Sequence, residues 1–130
     1  MQEFLTEQQK EVMEANRSFY SAFEKLSWNN MKECWDQTPD VICIHPQQPS
    51  LVGFEDIMES WKMIFAGTSY MEIDVQDIRI MAGMDLAVVH CTESVMAVSA
   101  GQTNRGQVRA TNVFRKVDDS WKIILHHAGP

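Results

Sequence analysis

The sequence lacks the residue spacings that mark the common metal and phosphate sites. Its three cysteines form no C-x-x-C pair, and its four histidines form neither H-x-x-x-H nor H-E-x-x-H. Zinc sites in proteins are built on such spacings. A Gly-x-Ser-x-Gly turn and a glycine-rich phosphate loop are also absent. We therefore expect no metal and no cofactor.

Long apolar runs and an excess of positive charge are missing as well. No stretch approaches the roughly 18 apolar residues of a membrane-spanning helix, and the polar segment MQEFLTEQQKEVMEAN carries no signal-peptide core. An odd number of cysteines fits a reducing compartment. The net charge of -7 provides no basic surface for nucleic acid or anionic membrane. We expect a soluble cytoplasmic protein that binds neither.

The composition that remains is that of an ordinary globular protein. Hydrophobic residues make up 45% of the chain and charged residues 22%, which are typical fractions. A chain of 130 residues is long enough to bury a core of its own. The sequence therefore predicts a single domain over residues 1–130.

Helical patterns are confined to the first half of the chain. Thr6 and Gln9 have the spacing of a capping box, and apolar residues then recur at steps of three and four. A short second helix follows Ser27 or Asn29, and Pro39 ends it. A third helix is expected between Gly53 and Gly67. The apolar positions of the first helix are Val12, Ala15, Phe19, Ala22, Phe23 and Leu26.

From residue 70 onward the apolar period changes to two, which predicts strands. The expected long strands are 70–81, 84–99, 107–117 and 120–128, after a short strand over 41–45. In the first long strand the apolar residues move from odd to even positions near Gln76 and Asp77. One extra residue there would cause this, so we predict a β-bulge. Helices followed by an antiparallel meander predict an α+β domain.

Two segments resemble the nuclear-transport-factor-like superfamily. DVICIHPQQPSLVGFEDIMESWKMIF (40–65) is similar to the SnoaL-like pattern of a strand, His-Pro, Leu-x-Gly and a helix with Ser-Trp. TNVFRKVDDSWKIILHHAGP (111–130) is similar to the last hairpin of SnoaL-like proteins and of the calcium/calmodulin-dependent kinase association domain. The resemblance implies a cone-shaped, curved antiparallel sheet wrapped around three N-terminal helices and enclosing a pocket.

The same resemblance implies a small-molecule ligand in that pocket and a homodimer formed through the outer sheet face. The chain has the large side chains that such a pocket needs, although each of them could equally be packed in the core. The candidates for ligand contact are Tyr20, Trp35, Trp61, Phe65 and Phe114.

His45 is the candidate catalytic residue. His45-Pro46 lies where ketosteroid isomerase, a member of the superfamily, has its catalytic aspartate before a proline. A histidine there can accept and donate protons near neutral pH. The alternative is a structural role, in which His45 bonds the loop 47–50. Phe19 stands where the isomerase has its tyrosine, so the isomerase pair is not reproduced here.

Strand alternation selects the remaining polar candidates. Asn112 is expected to face inward and orient a ligand, with Arg109 facing inward as the alternative. His126 and His127 are adjacent, so they point to opposite faces and at most one enters the pocket. Trp121 and His126 cannot both face inward on a regular strand, and a bulge near Leu125 would reconcile them.

Other polar residues have less specific expected roles. His90 is expected to line the cavity or the dimer face, and Glu93 to lie on the opposite side of its strand. Asp36 and Asp40 are expected to be cap and loop residues.

Two function hypotheses follow from these residues. The first is a homodimeric pocket protein that binds a small apolar molecule and acts as an isomerase, dehydratase or hydrolase through His45. The second is a noncatalytic oligomerisation module similar to the kinase association domain. The ring-shaped assemblies of that domain are larger than a dimer, so the mass in solution discriminates between the two.

Overall fold

The computed structural model describes residues 4–130, so the first three residues of the expected domain lie outside it. Three helices come first: α1 (Glu7–Glu24), α2 (Trp28–Cys34) and, after the first strands, α3 (Phe54–Ala66). The strands are β1 (Ile42–Ile44), β2 (Leu51–Val52), β3 (Tyr70–Ala82), β4 (Leu86–Ser99), β5 (Gln102–Val117) and β6 (Ser120–Gly129). This is the α+β cone that the sequence predicts.

Helix α1 begins with the predicted capping box. The Gln9 N–H donates to Thr6 Oγ1 at 3.1 Å, and the Thr6 N–H donates to Gln9 Oε1 at 2.9 Å. These two bonds satisfy amide groups that have no partner within the helix. At the other end Leu26 adopts a positive φ of 54°, and the Ser27 N–H reaches back to the Ala22 carbonyl at 2.9 Å. This backbone pattern ends the helix and turns the chain toward α2.

The sheet departs from the expected antiparallel order at one edge. Its six strands run in the order β2-β1-β6-β5-β4-β3, and β1 pairs with β6 in parallel. The sheet is therefore mixed, and the two-residue strand β2 was not predicted. Alternation in a sequence shows which face a residue takes, but it does not show which strand lies beside it or in which direction.

Both predicted bulges are present. The pairing of β3 with β4 shifts between Gln76 and Arg79, where one more residue lies on β3 than on β4. The pairing of β5 with β6 shifts between Val113 and Phe114, which face Leu125 and Ile123. Ile124 is the extra residue of β6, so Trp121, Ile123 and His126 can all face the core.

One predicted turn is wrong. The expected strands 84–99 and 107–117 left residues 100–106 between them as a turn, but β5 already begins at Gln102. Ala100 and Gly101 form the turn alone, with φ angles of 51° and 76°. Two residues with positive φ make a tight hairpin turn whose twist matches the flanking strands. Gly106 lies within the strand, opposite Val95.

The helices cover one face of the curved sheet, and the core lies between them. Its largest fully buried side chains include Phe19 from α1, Trp61 from α3, and Phe114 and Ile123 from the sheet. Among residues 4–130, no helix is long and apolar enough to cross a membrane.

Candidate functional site

A chain of buried polar side chains crosses the core. Tyr20 of α1 donates its hydroxyl hydrogen to Glu93 Oε2 of β4 at 2.6 Å. Glu93 is 2% exposed and Tyr20 is 5% exposed. Burying a carboxyl group in an apolar core costs free energy unless it has a hydrogen-bond partner. Tyr20 is that partner for Glu93.

Asn112 of β5 connects Tyr20 to the far end of this polar chain. Its side-chain nitrogen donates to Asn16 Oδ1 at 2.9 Å and to Tyr20 Oη at 3.2 Å. Its oxygen lies 2.5 Å from His126 Nδ1. Because an amide oxygen only accepts, His126 carries its proton on Nδ1 and donates. We refer to Glu93, Tyr20, Asn16, Asn112 and His126 as the buried polar chain.

Regular structure explains how these residues come together. Asn16 and Tyr20 are four residues apart on α1 and lie on the same face of the helix. Asn112 and His126 are directly paired across β5 and β6. The bulge at Ile124 turns His126 inward, where it is 1% exposed. Helix and sheet therefore each contribute part of the buried polar chain.

A cleft of about 240 Å³ between α1 and β3 reaches the buried polar chain. Its helix side includes Asn16 and Tyr20, and at its rim Glu24 Oε2 accepts a hydrogen bond from the Ile73 N–H at 2.9 Å. The walls are otherwise mainly apolar. They include Met13, Ile73, Val75 and Ile78.

The protonation states of the buried polar chain follow from burial. Burial raises the pKa of Glu93 to about 7, and the hydrogen bond from Tyr20 opposes this in part. Burial also raises the pKa of the Tyr20 hydroxyl, with a further contribution from the charge of Glu93. Burial lowers the pKa of His126 to about 3, and the charges of His45 and His127 act in the same direction. At neutral pH His126 and Tyr20 are uncharged, while Glu93 exists in both forms.

His45 forms no hydrogen bond with the buried polar chain in the described part of the protein, although its charge acts on His126. The Nε2 of His45 is 2.9 Å from Ser60 Oγ, and that hydroxyl donates to the Ile57 carbonyl at 2.6 Å. The single hydroxyl hydrogen is therefore used, so His45 Nε2 donates to Ser60. Burial lowers the pKa of His45. The backbone carbonyl of His45, rather than its side chain, bonds the following loop by accepting from Gln48 N at 3.0 Å.

Aromatic rings fill the space between His45 and Tyr20. Ring centroids are 4.8 Å apart for Tyr20 and Phe19, 5.8 Å for Phe19 and Trp61, and 4.9 Å for Trp61 and His45. Phe65 packs on Trp61 at 5.6 Å. His45 and Tyr20 thus stand at the two ends of a row of rings.

The other aromatic candidates belong to the core. Trp35 follows α2 directly and is 1% exposed, as is Phe114 of β5. Among the residues that the structure describes, the indole nitrogens of Trp35 and Trp61 are buried without a hydrogen-bond partner. Neither Trp35 nor Phe114 lines the cleft at Tyr20.

Alternation places several candidates on the outer face of the sheet. His127 is exposed, as are Arg109 and His90. Asn112 is fully buried, as predicted, so the alternative with Arg109 facing inward is excluded. Of the two adjacent histidines only His126 faces the interior, in keeping with the expectation that at most one of them does, because adjacent strand residues point in opposite directions.

Sequence reasoning did not place Asn16 or Glu93 in the core, and it missed one ion pair. Asn16 lies within the apolar stripe of α1, between Val12 and Phe19, and that position was its signal. Glu93 follows Val89 and Cys91 on the inward face of β4, so alternation alone marked it as a buried carboxyl.

Asp36 forms a partly buried ion pair with Arg115 instead of acting only as a cap or loop residue. Within residues 4–130, no three His, Cys, Asp or Glu side chains are grouped to hold a metal ion.

The helices, the bent mixed sheet and the polar interior define a cone of the nuclear-transport-factor-2-like (NTF2-like) class. The chain belongs to the SnoaL-like domain family, whose sequence model matches residues 12–129. It is similar to a proposed dehydratase of the NTF2-like family from Streptomyces avermitilis, with 31% identity and a TM-score of 0.88. That similarity covers 93% of this chain and 94% of the other.

Two further proteins are related at lower identity. A proposed calcium/calmodulin-dependent protein kinase type II association domain from Thiobacillus denitrificans has 29% identity and a TM-score of 0.79, covering 89% of this chain and 91% of that one. F-box protein SKIP8 from Arabidopsis thaliana is 21% identical over 90% of this chain. The chain spans about half the length of SKIP8, since the match covers 48% of it.

Proposed function

We propose that this protein binds a small, compact organic molecule in the cleft between α1 and β3. In this arrangement an oxygen atom of the ligand bonds to Tyr20 and Asn16. The observation that carries the proposal is that a mainly apolar cleft ends on two members of the buried polar chain. Apolar walls with a few convergent polar groups are the usual composition of a small-molecule site.

The size of the cleft supports a small ligand. Its volume of about 240 Å³ lies below the range of about 300–1,000 Å³ that is common for drug-sized ligands. No positively charged side chain belongs to the buried polar chain, so the polar end of the cleft favours an uncharged ligand. Arg17 at the rim is already paired with Glu14. A neutral molecule with one oxygen function fits these walls best.

The proposal is tested by a thermal-shift screen of neutral ketones paired with their alcohols, for example tetralone with tetralol and camphor with borneol. A compound that binds only the folded state raises the melting temperature. Tyr20→Phe removes one hydrogen bond to the ligand. We therefore expect this variant to need about ten times more of a binding compound for the same rise in melting temperature. Tyr70→Phe is the matched control, because Tyr70 is the second tyrosine and is 52% exposed. The proposal is wrong if no compound responds, or if both variants respond alike.

The similarity to a proposed dehydratase supports a proton-transfer reaction, of dehydratase, isomerase or hydrolase type, as a finer part of this proposal. His45 is the proposed proton acceptor, because its imidazole is neutral and its Nδ1 is not used by Ser60. The row of rings between His45 and Tyr20 would have to open for both residues to contact one substrate. Deuterium exchange at the carbon beside the carbonyl of tetralone, followed by NMR, tests this role. Exchange that is equally fast in His45→Gln and wild type would remove His45 from the proposal.

The second candidate function is assembly through the outer sheet face, and the charges on that face favour it. Glu72 and Asp74 lie on β3, while Arg105 and Arg109 lie on β5 of the same face. Two copies related by a twofold axis could pair the acidic row of one with the basic row of the other. The similarity to a proposed kinase association domain supports the same idea.

A mass measurement in solution tests this assembly. We expect a homodimer, weakened by Arg105→Glu and not by Lys62→Glu on the distant helix α3. A monomer at all concentrations would refute assembly, whereas a larger ring would favour the oligomerisation module.

A further inference from the structure

We propose that Glu93 is a positioning residue that decides whether Tyr20 donates or accepts a hydrogen bond at the cleft, so that the site selects a hydrogen-bond-accepting ligand when Glu93 is protonated. This inference rests on the proposed binding cleft. Glu93 itself is not among the residues that line the cleft. It acts only through the hydroxyl group of Tyr20.

The first step is a count of the hydrogens at Tyr20 Oη. A phenol has one hydrogen to donate. When Glu93 is ionised it can only accept, and it takes that hydrogen across 2.6 Å. Asn112 Nδ2 donates to the same oxygen at 3.2 Å. The Tyr20 oxygen then has no hydrogen left for the cleft, so it can only accept from a ligand such as an alcohol.

The second step is the reversal of this bond when Glu93 takes up a proton. A protonated carboxyl group has its own hydrogen to donate. Glu93 can then donate to Tyr20 Oη, and the phenol hydrogen is released for a ligand in the cleft, in competition with the Cys91 sulfur, a weak acceptor 3.4 Å away. In that state Tyr20 donates to a carbonyl oxygen. No backbone movement is required, because only two hydrogens change position.

The surroundings of Glu93 make both states accessible near neutral pH. Tyr20 faces Glu93 from α1. The charge of Glu93 also raises the pKa of two nearby thiols, Cys91 two residues before it on β4 and Cys43 of β1. The neighbours of Glu93 across the sheet, Val75 and Val108, are apolar. No Lys, Arg or His side chain forms an ion pair with Glu93 in the described part of the chain. Burial without a cation raises the pKa of Glu93 to about 7.

The selectivity therefore depends on pH in a defined direction. The ketone-binding form is the protonated one, and its fraction falls above the pKa of Glu93. The affinity for a ketone should then fall about tenfold per pH unit above that pKa, because only the competent fraction binds. The affinity for the corresponding alcohol should not fall, since an alcohol can donate to Tyr20.

The experiment titrates tetralone and tetralol into the intact protein by NMR, from about pH 5.5 to about pH 8.5. In the wild type we expect ketone binding to weaken as the pH rises, while alcohol binding does not. Glu93→Gln should remove the pH dependence of ketone binding, because an amide does not titrate. Tyr20→Phe should abolish the difference between the two ligands. Glu72→Gln is the matched control. Glu72 is an exposed glutamate on β3, so this variant should behave as the wild type.

A second measurement needs no ligand. The carboxyl carbon of Glu93 and the ζ carbon of Tyr20, both labelled with ¹³C, should titrate together. The inference is wrong if the Tyr20 signal does not follow that of Glu93, or if ketone affinity in the wild type is independent of pH. Failure of the proposed function looks different, because then neither ligand binds at any pH although the two carbons can still titrate together.

Discussion

At the scale of single residues, Asn112 holds the buried polar chain together. It is fully buried and contacts Asn16, Tyr20 and His126 at once. Its amide provides both a donor and an acceptor, which neither aspartate nor leucine would do. A buried network of this kind is stable only when every member has a partner.

We therefore expect Asn112→Ala to lower the free energy of unfolding by about 3 kcal/mol, since three buried polar groups lose a partner and a cavity forms. Urea unfolding followed by fluorescence measures the effect. Thr111→Ala is the control, because Thr111 is the preceding residue and faces the other side of β5. If Asn112→Ala lowered the free energy of unfolding no more than the control does, the buried polar chain would contribute nothing to stability.

The sequence shows which side such residues take but not what they meet. Alternation predicted that Asn112 faces inward and that Glu93 lies opposite His90. It could not show that Tyr20, which is 73 positions before Glu93, donates to its carboxyl group. That contact depends on how α1 is rotated and placed over the sheet, and this is determined by tertiary packing. His45 is a similar case, since its bond to Ser60 depends on the placement of α3.

At the scale of secondary structure, β6 shows how two conflicting patterns resolve. Trp121 and Ile123 mark odd residues as inward, while His126 and Ala128 mark even ones. One extra residue at Ile124 satisfies both patterns, and the sequence was sufficient to predict it. The parallel pairing of β1 with β6 was beyond the sequence, because it joins segments about 80 residues apart that carry no pairing signal of their own.

The turn between β5 and β6 is an element that can be improved. Asp118 and Asp119 have φ angles of 48° and 64°, and this type I′ geometry favours Asn-Gly. We expect the double change Asp118→Asn with Asp119→Gly to raise the free energy of unfolding by about 1 kcal/mol, or a few degrees in melting temperature. Ser120→Gly, one residue further and within the strand, should lower it instead. Equal effects of the two changes in a thermal melt would contradict this account of the turn.

At the scale of the whole molecule, two buried titratable groups give stability opposite dependences on pH. Burial raises the pKa of Glu93 to about 7, so the folded state loses stability as the pH rises from about 4.3, the usual value for glutamate, to about 7. Burial lowers the pKa of His126 to about 3. The folded state therefore loses stability as the pH falls from about 6.5 toward 3. Between about pH 4.5 and 6.5 the two effects oppose each other.

Two variants separate these effects. Glu93→Gln keeps a hydrogen-bonding partner for Tyr20 but does not ionise, so it should lose less stability than the wild type between about pH 5 and 8, by up to about 3 kcal/mol. His126→Gln should instead flatten the decline between about pH 6.5 and 4. Urea unfolding at a series of pH values measures both slopes, with Glu72→Gln as an exposed control. If Glu93→Gln lost stability between about pH 5 and 8 as steeply as the wild type, Glu93 would be ionised throughout this range. The proposed change in the hydrogen bonding of Tyr20 would then have no basis.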